Sequence, residues 1–224
     1  MIAPHSRFPV TCIVTRSWQA EEGGMPKQVD HRARREALAL ALWRVVDRHG
    51  WSGATMRAVA RESGISLGQL QHYFPSRTAM LSFAMEHAAS QTSHRITRQL
   101  EALDRPPHPR AVLRVVLAEM LPLGAEARAT SRMHAAYVLD ALHDEALREL
   151  AGAELRQGRA MVERLIRQAI ADEQIGADRD PAVETDLLLA LTGFTPLLEL
   201  GVIEPAAALA AIDAHLDRLF PAAS

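Results

Sequence analysis

A single cysteine, Cys12, stands in 224 residues, which excludes an internal disulfide framework and a cysteine-based zinc site. Aromatic residues make up only 4% of the chain. Strand-forming β-branched and aromatic types are sparse beside Ala, Leu and Arg, so composition favours helices. No apolar run approaches the roughly 20 residues of a membrane span. The apolar stretch "FPVTCIV" near the start is short and is followed by Arg16, Trp18 and two glutamates, a poor secretory signal. No His-Glu-x-x-His pair, P-loop or dinucleotide fingerprint occurs, so neither an enzyme nor a bound cofactor is expected. His134, Asp140 and His143 lie at a spacing common by chance and argue for no metal.

What is present is an all-α pattern with uneven charge. The net charge is −2, yet residues 1–90 hold 11 Lys/Arg against 7 Asp/Glu and residues 91–224 hold 14 against 20. A basic front and an acidic back suggest regions with different partners. Residues 1–24 are expected to be a disordered arm or a mis-called start, with Met25 as an alternative start. Residues 25–80 form an expected first domain and 81–224 a second.

Leu38, Leu42, Val45 and Val46 recur at helical spacing, predicting a helix over 31–49 that stops at Gly50. Thr55 reads as the N-cap of a short helix with Met56, Val59 and Ala60 on its inner face, closed at Gly64. Ser66 reads as the cap of another, from Leu67 to about Phe74. Pro75 and Ser76 then separate it from a long helix through Arg77, Met80, Leu81 and Ala84 to about Leu103. Two short helices across a glycine turn are the helix-turn-helix plan, whose second helix enters the DNA major groove. Val59, Ala60, Ile65 and Leu70 would form its small core. Leu67, Gln69, Gln71 and His72, with Tyr73 at the edge, are left facing solvent. A glutamine carboxamide can pair with the major-groove edge of adenine, and hydroxyl, imidazole and guanidinium groups hold phosphates. A helical hairpin with merely solvated glutamines remains open on these features alone.

From Leu38 to Leu81 the chain resembles the TetR family of bacterial transcriptional regulators. The resemblance rests on Gly50-Trp51, Thr55, Val59-Ala60, Gly64-Ile65-Ser66, Gly68, Leu70, Tyr73-Phe74 and Ser76-Arg77. It implies that Thr55 and Arg57 lie against the DNA backbone, that Ser66, Leu67, Gln69 and Gln71 read base edges, and that His72 and Arg77 hold phosphates. Gly68 would permit close approach either of a neighbouring helix or of DNA, and Tyr73 reads equally as a core aromatic. The sequence departs from the family where Leu67 replaces a common Lys, Gln69 a common Thr and Gln71 a common Tyr.

The remainder reads as helices from about Arg110 to Leu121, Ala125 to Leu142, Asp144 to Glu173, Val183 to Leu200, kinked at Pro196, and Pro205 to Phe220. "LLLALTGFTPLLEL" is apolar around most of its circumference and asks for more than one packing partner. The resemblance implies a homodimer, with Leu187, Leu191, Phe194, Leu198, Leu209, Ile212 and Leu216 at its interface. It also implies a small-molecule inducer pocket, for which Met120, Leu121, Met133, His134, Tyr137 and Phe194 are candidates. The expected protein is a cytoplasmic, ligand-responsive repressor of a palindromic DNA operator, with no membrane partner. The alternative is a helical ligand-binding or interaction protein whose DNA binding has degenerated.

Overall fold

The computed structural model describes residues 26–103 and 106–220; the expected arm or alternative start over 1–25 lies outside the described residues. Every regular element among them is helical: α1 (Pro26–Gly53), α2 (Met56–Glu62), α3 (Leu67–Tyr73), α4 (Arg77–Glu101), α5 (Pro109–Glu119), α6 (Ala125–Ala141), α7 (Glu145–Ala171), α8 (Pro181–Thr192), α9 (Thr195–Glu199) and α10 (Pro205–Leu219). None is long and apolar enough to cross a membrane.

Local chemistry sets the breaks. α1 is interrupted at Gly50, whose φ of 66° is a backbone state that glycine adopts without strain. α2 begins where the Thr55 hydroxyl accepts from the Ala58 amide at 3.1 Å. It ends in a Schellman closure: the Ile65 amide donates to Ala60 O at 3.0 Å and the Gly64 amide to Arg61 O at 3.2 Å, with Gly64 at φ 66°. The Ser76 hydroxyl accepts from the Ala79 amide at the head of α4.

The described residues fall into two compact units. One takes 26–92 together with 129–154, the other 93–128 together with 155–220, so the division falls inside α4, α6 and α7. The core of the first unit gathers Leu38, Leu42, Val59, Leu70, Phe74, Leu81, Met133 and Tyr137 among others. Leu42, Leu70 and Phe74 are fully enclosed, each such side chain worth about 1.5–3 kcal/mol of burial. Ile65 is half-buried against this core rather than sealed within it. In the second unit, α5, α8 and α10 close around Leu113, Leu117, Leu188, Ile212 and Leu216. Arg110 and Arg114 of α5 bridge to Asp213 of α10.

Two expectations about the C-terminal helices are corrected. The helix expected over 183–200 is two helices, because Pro196 has no amide hydrogen and its ring collides with the carbonyl four residues earlier. α8 therefore stops at Thr192, Gly193 caps it, and Pro196 sits in the first turn of α9 instead of kinking a continuous rod. Ile212 and Leu216 were expected at a dimer interface, but both are fully enclosed in the second unit's own core. They sit on the stripe of α10 shared with Ala208 and Leu219.

Candidate nucleic-acid interface

The recognition segment is a seven-residue helix, just under two turns, too short to hold itself together without caps and an anchor. The anchor is Leu70, fully enclosed. The cap is reciprocal: Ser66 Oγ accepts from the Gln69 amide at 3.1 Å and Gln69 Oε1 accepts from the Ser66 amide at 3.0 Å, a complete capping box. The residues from Gly64 to Gly68 have the Gly-x-Ser-x-Gly spacing of a hydrolase nucleophile, which requires a strand-to-helix turn with an exposed serine oxygen. Here the serine lies between two helices and its oxygen accepts from a main-chain amide, so it is a cap.

This geometry revises Gln69. A bidentate contact to adenine needs both the carbonyl and the amino group of the carboxamide. One lone pair of the carbonyl is taken by the Ser66 amide, which turns the oxygen toward the head of its own helix, while the amino group stays outside the box as a donor. Gln71 and His72 are exposed beside it, while Leu67 is half-buried. Thr55 and Arg57 are exposed at the start of α2. The phosphate role expected of Arg77 gives way to an internal one. Its Nε donates to Ala54 O at 3.0 Å and its Nη2 to Trp51 O at 2.8 Å, and Asp140 lies 3.8 Å away. The guanidinium thus ties the head of α4 to the turn between α1 and α2.

Two residues that the sequence reading passed over stand next to α3. The His31 ring packs 4.9 Å from Tyr73 and 6.2 Å from His72, centroid to centroid. Arg34, one turn on, lines a shallow surface concavity with Ile65, Gly68, Gln69, His72 and Tyr73. The available signal was the spacing: His31, Arg34 and Leu38 follow a 3-4 helical repeat that runs out of the buried stripe of α1. Tyr73 itself is half-buried against the core.

The residues expected to line an inducer pocket divide between the two units. Met133, His134 and Tyr137 belong to the first and Met120, Leu121 and Phe194 to the second. Leu121 is fully enclosed and Met120 is 39% exposed at the end of α5. In the first unit Tyr137 is enclosed, its ring 5.6 Å from that of Trp51, and its hydroxyl has no hydrogen-bond partner among the described residues. Burial and the charge of Glu154 push that phenol up to about 12. Burial, and then Glu86, raise the Glu154 carboxyl above the usual carboxylate range. Burial lowers the His134 imidazole below its ordinary value.

Comparison with known proteins decides the family. The family model of the tetR bacterial regulatory proteins matches residues 40–82, and that of the C-terminal region of BetI-type transcriptional repressors matches residues 109–221. The chain belongs to the TetR family. It is 41% identical over 102 residues to the HTH-type transcriptional regulator PksA of Bacillus subtilis, covering 46% of this chain and 48% of that one. It is 27% identical over 150 residues to the regulator BetI of Vibrio vulnificus, covering 67% of this chain and 75% of that one. The chain thus spans about half the length of PksA and three quarters of BetI. Among solved structures, a TetR-family regulator from a Rhodococcus species superposes with a TM-score of 0.74 at 22% identity, over 84% of this chain and 98% of that one. A regulator from Saccharomonospora viridis, solved with choline, does so with 0.69 at 18%, over 84% and 98%. These two likenesses show the TetR fold. The family models, of tetR bacterial regulatory proteins and of BetI-type repressors, mark this chain as a transcriptional regulator with a DNA-binding helix-turn-helix.

Among the TetR interface residues expected on α8 to α10, Leu187 is 48% exposed, whereas Leu191, Phe194 and Leu198 are half-buried against the second core and Leu209 is half-buried. Val183, Leu197, Leu200 and Val202, not singled out beforehand, are further exposed apolar side chains of this region.

Proposed function

We propose that the protein is a dimeric repressor that holds a near-palindromic duplex operator through α2 and α3 and releases it when a small molecule binds. The observation that carries the reading is α3 itself: capped at its head, anchored by the enclosed Leu70, and presenting Gly68, Gln69, Gln71 and His72 outward. A seven-residue helix reads few base pairs, so specificity comes from pairing two copies over half-sites one helical turn, about 34 Å, apart. The exposed apolar residues of α8 and the α9–α10 connection, Val183, Leu187, Leu200 and Val202, support self-association of that face.

Release requires a ligand that binds one state of the dimer better than the other. Tyr137 supports a site in the first unit, because an enclosed, unpartnered hydroxyl is a polar handle beside an aromatic pair. Glu86 and Glu154 repel one another there, and a cation relieves such repulsion while resting on aromatic faces. A quaternary ammonium such as choline is the first compound to test.

The test is selection from a random duplex library by the purified protein at near-physiological salt, repeated with choline. An enriched inverted repeat supports the repressor, and its loss on adding choline supports the ligand class. A folded protein that enriches nothing sinks the operator reading.

A further inference from the structure

We infer that the concavity shared by α1 and α3 is a seat for a backbone phosphate of the bound duplex, with Arg34 of α1 as its cation. The inference rests on the reading of the protein as a duplex-DNA binder, and it adds a DNA contact from outside the helix-turn-helix pair.

Three observations converge on it. Arg34 is exposed and lines the same concavity as Gly68, Gln69 and His72, next to the helix that reads the bases. The head of α1 is held against α3 by ring contacts of His31 with Tyr73 and His72, so Arg34 is carried on a fixed support. Gly68 is part of the lining, and a Cβ built there meets nothing within 4 Å. No neighbour among the described residues therefore requires a glycine at this position. The missing side chain keeps the concavity open to something outside the chain.

The chemistry of that outside group follows from its lining. The hydrogen-bond donors among the lining side chains are the Arg34 guanidinium, the amino group of Gln69 left over from the capping box, the His72 ring and the Tyr73 hydroxyl. A guanidinium fork fits a phosphate's oxygens bidentately, and a duplex offers phosphates immediately beside the bases facing α3. Arg32, two residues away on α1, differs: it pairs with Glu36 at 3.1 Å and does not line the concavity.

The experiment measures the full chain's affinity for a duplex of arbitrary sequence, and for a selected operator, across a salt series. Each neutralised phosphate contributes about 0.9 to the slope of log affinity against log salt. Arg34→Ala is expected to flatten that slope by about 0.9 on both duplexes, so that the ratio of wild-type to variant affinity shrinks about threefold from about 50 to 200 mM salt. Arg32→Ala is expected to keep the wild-type slope. Gly68→Ala is expected to melt no lower than wild type and yet to bind both duplexes several-fold more weakly, because its methyl group occupies the seat. A wild-type slope in Arg34→Ala, or wild-type affinity in Gly68→Ala, overturns the seat. Wild-type protein that binds neither duplex overturns the DNA reading underneath it.

Discussion

The indole Nε1–H of Trp51 donates to the main-chain carbonyl of Met133, 82 residues further along the chain, at 3.3 Å. Trp51 is the residue after the α1 break at Gly50, and its own carbonyl accepts from Arg77. The turn that leads into the helix-turn-helix is thus fixed by α4 and α6 together, within one compact unit. Its position does not depend on the local sequence alone.

Arg77 is therefore expected to act on stability and not on phosphate binding. Arg77→Ala removes two hydrogen bonds from a charged donor to main-chain carbonyls. Such bonds are worth about 1.5–3 kcal/mol each at most, and less at this half-exposed site. Urea unfolding should show a loss of about 1–3 kcal/mol. The salt slope of duplex binding, measured well below the midpoint, should match wild type; a slope flattened by about one would return Arg77 to the DNA surface.

Gln69 separates capping from reading. Gln69→Glu keeps the box, since a carboxylate accepts from the Ser66 amide as a carboxamide does. Folding stability is expected to change by less than about 0.5 kcal/mol. Operator affinity is expected to fall at least tenfold, because the donor is lost and a negative charge faces DNA. Ser66→Ala should lower stability by about 1 kcal/mol. Wild-type operator affinity in Gln69→Glu would place this side chain off the DNA.

The apolar residues of the last helices are expected to divide by where they point. Leu187→Asp, on an exposed site, should leave the monomer's stability near wild type and shift sedimentation from dimer to monomer. Leu216→Ala, deep in the second core, should lower stability by about 2–5 kcal/mol whatever the association state. A Leu187→Asp protein that still sediments as a dimer would exclude this part of α8 from the interface.

Glu154 gives a pH signature. Its carboxyl titrates above the ordinary range in the folded chain because burial, and then Glu86, disfavour its charge. A raised carboxylate destabilises the fold above its folded pKa, and that penalty disappears as pH falls to the ordinary glutamate value near 4.5. Glu154→Gln should accordingly stabilise the protein at neutral pH and lose the advantage near pH 4.5. Thermal melts of both proteins across that interval check the sign. An advantage that grew towards acid pH would contradict the burial of this group.

The helix-turn-helix was legible because its signals are local. Thr55 and Ser66 cap the helices that follow them, and Gly64 closes α2, each through contacts within five residues in sequence. Gln69 was legible as exposed and polar, and its capping role could have been read from the Ser-x-x-Gln spacing. The Arg77 and Trp51 bonds cross 23 to 82 residues, and no local pattern encodes them. For α10 the apolar stripe announced a buried face, but periodicity cannot say whether that face meets its own chain or a second copy. Ile212 and Leu216 meet their own. Pro196 marks a break and not a bend, because it sits in the first turn of a new helix.

The division of the chain at Thr92 and at 129–154 bears on how this regulator can be recombined with others. A hybrid that takes only residues up to 92 from this protein inherits Trp51 without Met133, Tyr137, Ala141, Leu147 and Ala151, all of which share its core. Such a graft carries a missing wall, and the recipient's α6 and α7 must supply side chains of matching shape. A transplant that moves both segments brings its own wall with it. The portable piece of this protein is thus discontinuous in sequence, and crossovers that respect it need two junctions after Thr92 as well as the one there.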